Sequence, residues 1–148
     1  MAEPIPARVL VVTDHPEPDG TLLHAIEERA AQGPTQFRLV VPNPAPSEIH
    51  LLHPERHAKA AAAEGVLRYA LPMIERAAGG AVIGTVSVRH DPMDAVEEIL
   101  YSEPVDEIIV SVTDHRLATR LHQDLAHRLR HHGLPILHLE HARRVSGE

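Results

Sequence analysis

No cysteine occurs in the 148 residues, which excludes disulfides, thiolate catalysis and Cys-ligated zinc. Aromatic residues make up 2% of the chain, so a core has to be built from Leu, Val, Ile and Ala. The same scarcity leaves almost nothing to stack on bases and argues against a single-strand nucleic-acid binder. Lysine is nearly absent: Lys59 is the one lysine, and the other basic residues are arginine. With a formal net charge of −7, no large phosphate-binding surface and no nucleic-acid partner are expected. No apolar run approaches the roughly 18 residues that a membrane span requires, so no membrane partner is expected either. Met1 to Pro6 carries Glu3, Pro4 and Pro6 and does not resemble a signal peptide. A cytoplasmic location is the simplest expectation.

What is present is ordinary in bulk, with 43% hydrophobic and 24% charged residues. The length suits one domain over residues 1–148, with a frayed tail from about residue 140. The thirteen histidines are the compositional anomaly. Solvated helix faces and base composition explain them in the commoner case. Metal binding or a pH-dependent charge is the alternative.

Hydrophobic patterning gives a regular alternation of strands and helices. Arg8 to Thr13 reads as a strand, His15 to Gly20 as a Pro- and Gly-containing loop, and Thr21 to Gln32 as a helix stopped by Gly33-Pro34. Gln36 to Val41 is a second strand. The proline-rich stretch from Pro42 and the residues up to His53 form a long connection. A second helix starts at Pro54, with Ala58, Ala62, Val66, Tyr69 and Met73 on one stripe, a kink at Pro72 and an end at Gly79-Gly80. Ala81 to Val88 is a third strand. Asp91-Pro92 opens a third helix that turns Val96, Ile99 and Leu100 inward. Glu107 to Val112 is a fourth strand, Arg116 to His132 a last helix, and Pro135 to Leu139 a fifth strand. This order predicts an α/β fold, a single open five-stranded parallel sheet with helices on both faces and right-handed crossovers.

One short motif is written twice. Val12-Thr13-Asp14-His15 and Val112-Thr113-Asp114-His115 each close a β-branched apolar run and precede a helical pattern. Both copies therefore sit at the carboxyl end of a strand, the edge of a parallel sheet where ligands bind if strand order reverses there. If the two strands are neighbours, two Asp and two His face each other across that crevice. The commoner role of Thr and Asp after a strand is to satisfy loop and helix-start N–H groups. The functional alternative is a pocket for a polar ligand or a divalent metal such as zinc or manganese, with Asp14, His15, Asp114 and His115 as ligands. Arg116 and Arg120, one helical turn apart, could hold a phosphate, although a solvated helix face is commoner. His50, His53 and His57 are interrupted by Pro54 and do not suggest a metal site, and His131-His132 reads as a solvated helix end. No catalytic motif stands out. Ser111 lies inside a strand and lacks the strained elbow of a nucleophile, so the chain is expected not to be an enzyme.

Several segments together resemble the universal stress protein family, over nearly the whole length in element order. Val88-Arg89-His90-Asp91-Pro92-Met93-Asp94-Ala95-Val96 is similar to its strand, Asp-Pro turn and helix start. Asp106-Glu107-Ile108-Ile109-Val110-Ser111 resembles its aspartate-led apolar strand, and Gly133-Leu134-Pro135-Ile136-Leu137 its final strand. Asp14 falls where the family has an Asp after the first strand. The resemblance implies an adenine nucleotide alpha hydrolase-like sheet in the order 3-2-1-4-5, with the first and fourth strands side by side. It also implies a homodimer joined through the fifth strand, here Ile136, Leu137, His138 and Leu139. That edge carries no lysine to blunt it.

ATP-binding members carry Gly-x2-Gly-x9-Gly-Ser/Thr after the fourth strand, where backbone N–H groups close around the phosphates. This chain has no glycine between Gly84 and Gly133. Ser111, Thr113, Asp114, His115 and Arg116 fill the first part of the segment, and acidic side chains there would repel a polyanion. It is closer to the glycine-poor branch without the ATP motif, some members of which have an Arg/Leu-rich last helix with an Asp-Leu pair, here Asp124-Leu125. The resulting expectation is a non-catalytic dimer that binds a small ligand or a protein partner, with no resident cofactor. An adenine-nucleotide binder using Asp14, Val41 and Arg116 or Arg120 is one alternative. A metal-binding protein using the duplicated Asp-His pairs is the other.

Overall fold

A computed structural model describes residues 5–14, 17–42, 54–87, 92–112, 119 and 136–138. The central strand, β1 (Ala7–Thr13), is buried without interruption from Val9 to Thr13. Continuous burial is what a strand covered on both faces requires, and side-chain alternation divides it between two cores. Val9 and Val11 pack with Leu22 and Ile26 of helix α1 (Gly20–Ala31) and with Ala63, Ala70 and Ile74 of helix α2 (Pro54–Ala78). Leu10 and Val12 point the other way, into a cluster with Val96 and Ile99 of helix α3 (Pro92–Ser102). Each fully buried Val, Leu or Ile among them contributes about 1.5–3 kcal/mol. Helices therefore lie on both faces of the sheet, α1 and α2 on one and α3 on the other.

The strands β2 (Thr35–Val41), β3 (Ile83–Val86) and β4 (Glu107–Ser111) flank β1 in the order β3-β2-β1-β4, all parallel. Three further residues, β5 (Ile136–His138), pair parallel with β4 at the other edge, Ile109 opposite Leu137. The neighbourhood of β1 and β4 is thus as the resemblance implies. β3 is shorter than the Ala81 to Val88 expected, and Val88 lies outside the described residues, as do the connection 43–53, Asp91 and all of the last helix except Thr119.

Local chemistry sets the element ends. Asp19 has extended backbone, and its Oδ1 accepts the Leu22 N–H at 2.9 Å, so it is the N-cap of α1. At the end of α2, Gly79 takes φ +78° and its N–H donates to Glu75 O at 2.9 Å, a left-handed cap that glycine adopts without steric cost. The Glu75 carboxylate then accepts the Val82 N–H at 3.0 Å and ties the turn to the start of β3. Pro72 lies on the exposed side of α2, and the helix continues through it to Ala78.

The buried stripe of α2 differs from the one expected. Ala63, Ala70 and Ile74 are buried, with Val66, Leu67, Leu71, Ala77 and Ala78 packed beside them. Tyr69 is 68% exposed, and Met73 is only half-buried. The true face is rotated by about one residue, some 100°. Small residues win the contact because the helix lies close to the sheet: a Cβ on Gly84 of β3 would stand 2.5 Å from Leu67 Cδ1. A tyrosine there would have to bury its hydroxyl, whereas on the outer side it stays hydrated.

Asp106 fixes how β1 and β4 align. Its backbone N–H donates to Arg8 O at 2.8 Å, and its Oδ2 accepts the Arg8 N–H at 2.8 Å. This two-way clamp precedes the register Val9 opposite Glu107 through Thr13 opposite Ser111. An ion pair between Arg29 and Glu107 at 3.0 Å joins α1 to β4 on the same end of the sheet. No described helix is long and apolar enough to cross a membrane.

Candidate functional site

The carboxyl ends of β2, β1 and β4 lie side by side, at the edge where the sequence leads one to expect a ligand crevice. Going across it, Val41 and Pro42 are buried at the end of β2, Thr13 is 1% exposed at the end of β1, and Ser111 is 5% exposed at the end of β4. Thr13 and Ser111 are paired, so two buried hydroxyl side chains occupy neighbouring positions at the last rung of the ladder. Asp14 follows at a half-buried position. The Ser87 N–H donates to Val41 O at 3.0 Å and closes the β3 side. Chain order reverses between β1 and β4, because β1 continues to β2 on one side and β4 lies on the other. That is the switch point at which open parallel sheets hold ligands.

The duplicated tetrapeptides are not in register. Val12 pairs with Val110, whereas the second copy begins at Val112, two residues further along. At the rise of a parallel strand this is a stagger of about 6.6 Å. Because the shift is even, Val12 and Val112 stay on one face and share the α3-side cluster. Thr13 accordingly meets Ser111, the residue before the second copy. The Asp106 clamp at the opposite end of the strands causes this offset, and nothing in the motif itself reveals it.

The amino end of α1 lies beyond the carboxyl end of β1. The Leu22 N–H there donates to the Asp19 carboxylate. An incoming polyanion would meet that negative charge where the helix dipole would otherwise favour it. Of the residues read from the sequence as candidate ligands, Thr13, Asp14, Val41 and Ser111 are brought together at these strand ends. His15, Thr113, Asp114, His115, Arg116 and Arg120 lie outside the described residues, as does Leu139. Among the described residues, no group of three or more His, Asp or Glu side chains could hold a metal ion.

One local element at this end of the sheet, the Asp19 cap, was not read from the sequence. Asp19 carries a signal that could have found it, an Asp directly before a Gly-led helical pattern.

No protein-family model matches this chain, and no curated protein matches it. Among solved structures, it is similar to the universal stress protein from Archaeoglobus fulgidus, with a TM-score of 0.55 at 13% sequence identity over 90% of this chain and 93% of that one. Nearly end to end, the chain has the fold of a universal stress protein.

Proposed function

We propose that the chain is a non-catalytic, universal stress protein-like domain that binds a small polar ligand or a partner protein at the carboxyl ends of β1 and β4, and works as a homodimer. The observation that carries this reading is the buried Thr13–Ser111 pair at the switch point of the sheet. A hydroxyl both donates and accepts, so Ser111 suits a neutral or weakly charged polar ligand. The absence of any glycine between Gly84 and Gly133 removes the means by which a backbone cradle would close on a triphosphate. Dimerisation rests on the apolar edge strand, in which Leu137 is 41% exposed.

A second reading, an adenine-nucleotide site using Asp14, Val41 and Arg116 or Arg120, draws support from the adjacency of β1 and β2 at their carboxyl ends. The stagger of the two motif copies gives no such support to a divalent metal held by Asp14, His15, Asp114 and His115. Native mass spectrometry of the purified chain separates the three readings. The expected spectrum is a dimer without nucleotide or metal, and a co-purified adenine nucleotide would overturn the first reading in favour of the second.

A further inference from the structure

On the side away from β5 the sheet ends at β3, which among the described residues pairs with β2 alone. One hydrogen bond sets the phase of this strand. The Ser87 N–H donates to Val41 O, so Ser87, Thr85 and Ile83 turn their backbone groups toward β2. Successive residues of a strand turn theirs to opposite sides, which directs the N–H and C=O of Gly84 and Val86 outward. No described residue bonds to them there. Sheets usually blunt such an edge with lysine, proline, an inward charge or a bulge. Here Ala77 to Val88 contains no charged residue and no proline, and the register with β2 runs without a bulge.

Helix α2 gives this edge a wall. Because Gly84 has no side chain, Leu67 and Leu71 lie directly over the strand: a Cβ on Gly84 would stand 2.5 Å from Leu67 Cδ1 and 3.3 Å from Leu71 Cδ1. Both leucines are only partly buried. The next strand position is about 4.8 Å further out, within reach of both. On the opposite face Ile83 is 63% exposed. An outward row of backbone groups selects an extended chain, which returns N–H to C=O and C=O to N–H. The leucines select apolar side chains on that chain, and the uncharged run offers nothing to an ionic one. A second copy pairing β3 to β3 does not fit beside a dimer joined through β5. Both contacts would continue the sheet edge to edge, and two such contacts per chain do not close. That exclusion rests on the dimer proposed above, whereas the edge itself does not.

We infer that the β3 edge docks an extended, uncharged apolar segment of a partner protein, which adds a strand to the sheet beside α2. Gly84 and Val86 exchange backbone hydrogen bonds with it, and its apolar side chains pack on Leu67 and Leu71. The test is a titration of the full chain with the peptide acetyl-Thr-Val-Thr-Val-Thr-amide, followed by the backbone amide resonances of Gly84 and Val86. Its fully N-methylated analogue, which has no N–H to donate, and acetyl-Thr-Asp-Thr-Asp-Thr-amide serve as comparisons. A saturable shift of both resonances with the first peptide, and none with either comparison, is expected. Val86→Pro removes one outward N–H without touching the ladder to β2. It should weaken binding, followed at Gly84, about fivefold, the worth of one backbone hydrogen bond. Ile83→Lys, at an exposed position, blunts the edge and should weaken binding without threatening the fold. No saturable shift, or one that both variants leave unchanged, would overturn the site. An equal shift with the N-methylated analogue would overturn the strand pairing. Gly84 and Val86 shifts that follow protein concentration alone would assign the edge to a second copy and overturn the partner. These resonances belong to β3, so the outcome is separate from the crevice and from the β5 dimer, which sedimentation reports.

Discussion

Truncating Ile74 to alanine tests which face of α2 meets the sheet. Ile74 is completely buried, in the cluster built around Val9, Val11 and Leu39. The change removes roughly three CH2-sized groups, worth about 2.4 kcal/mol of lost transfer free energy at ~0.8 kcal/mol each. A partly unrelaxed cavity raises the total to about 3–4 kcal/mol. In a chain of this length each kcal/mol lowers the melting temperature by roughly 2–4 °C, so a fall on the order of 6–16 °C is expected. Tyr69→Ala, on the neighbouring stripe, should cost within about 0.5 kcal/mol, because 68% of Tyr69 is already exposed. Urea and thermal unfolding of both variants, followed by far-ultraviolet circular dichroism, give the comparison. A Tyr69→Ala variant as unstable as Ile74→Ala would refute the helix orientation.

Asp106→Ala should lose about 1 kcal/mol of unfolding free energy through the released Arg8 N–H, and Asp106→Asn, which keeps an acceptor oxygen, should recover most of it in a urea midpoint measurement. At pH 7.5 the wild type should sediment as a dimer and Leu137→Arg as a monomer; a variant that stays fully dimeric would show that the β5 edge is not the interface. Acidifying the wild type to pH 5.5 should weaken the dimer, because His138 lies in this strand and His141 follows it in the sequence, and an unperturbed imidazole gains charge below about pH 6.5.

Much of the fold is legible in the sequence because its strands and two of its helices have strong contrast. The Val-Ile runs of β1 and β4 and the Val96-Ile99-Leu100 stripe of α3 have no competing face. Asp-Pro and Gly-Gly mark helix ends through backbone restrictions that act locally. The orientation of α2 is harder to read, since Ala60 to Ala63 offers apolar positions all round the helix and Tyr69 counts as apolar in a periodicity. Its true face depends on Gly84, a residue on another element that admits close approach. The site shows the same division. That each copy of the motif stands at the carboxyl end of an apolar strand run could be inferred from its context, and the resemblance alone implied that the two strands are neighbours. The two-residue stagger could not, because a hydrogen-bond clamp at Arg8 and Asp106, at the far end of both strands, sets it.

The proposed crevice differs from a nucleotide site in one physical respect, the missing glycine cradle, and calorimetric titration with ATP and magnesium addresses it most directly. A segment with no glycine from Thr85 to His132, next to an α1 terminus already capped by Asp19, should give no saturation through the micromolar range. A saturable isotherm with a micromolar or tighter dissociation constant would contradict the reading and establish the chain as a nucleotide binder.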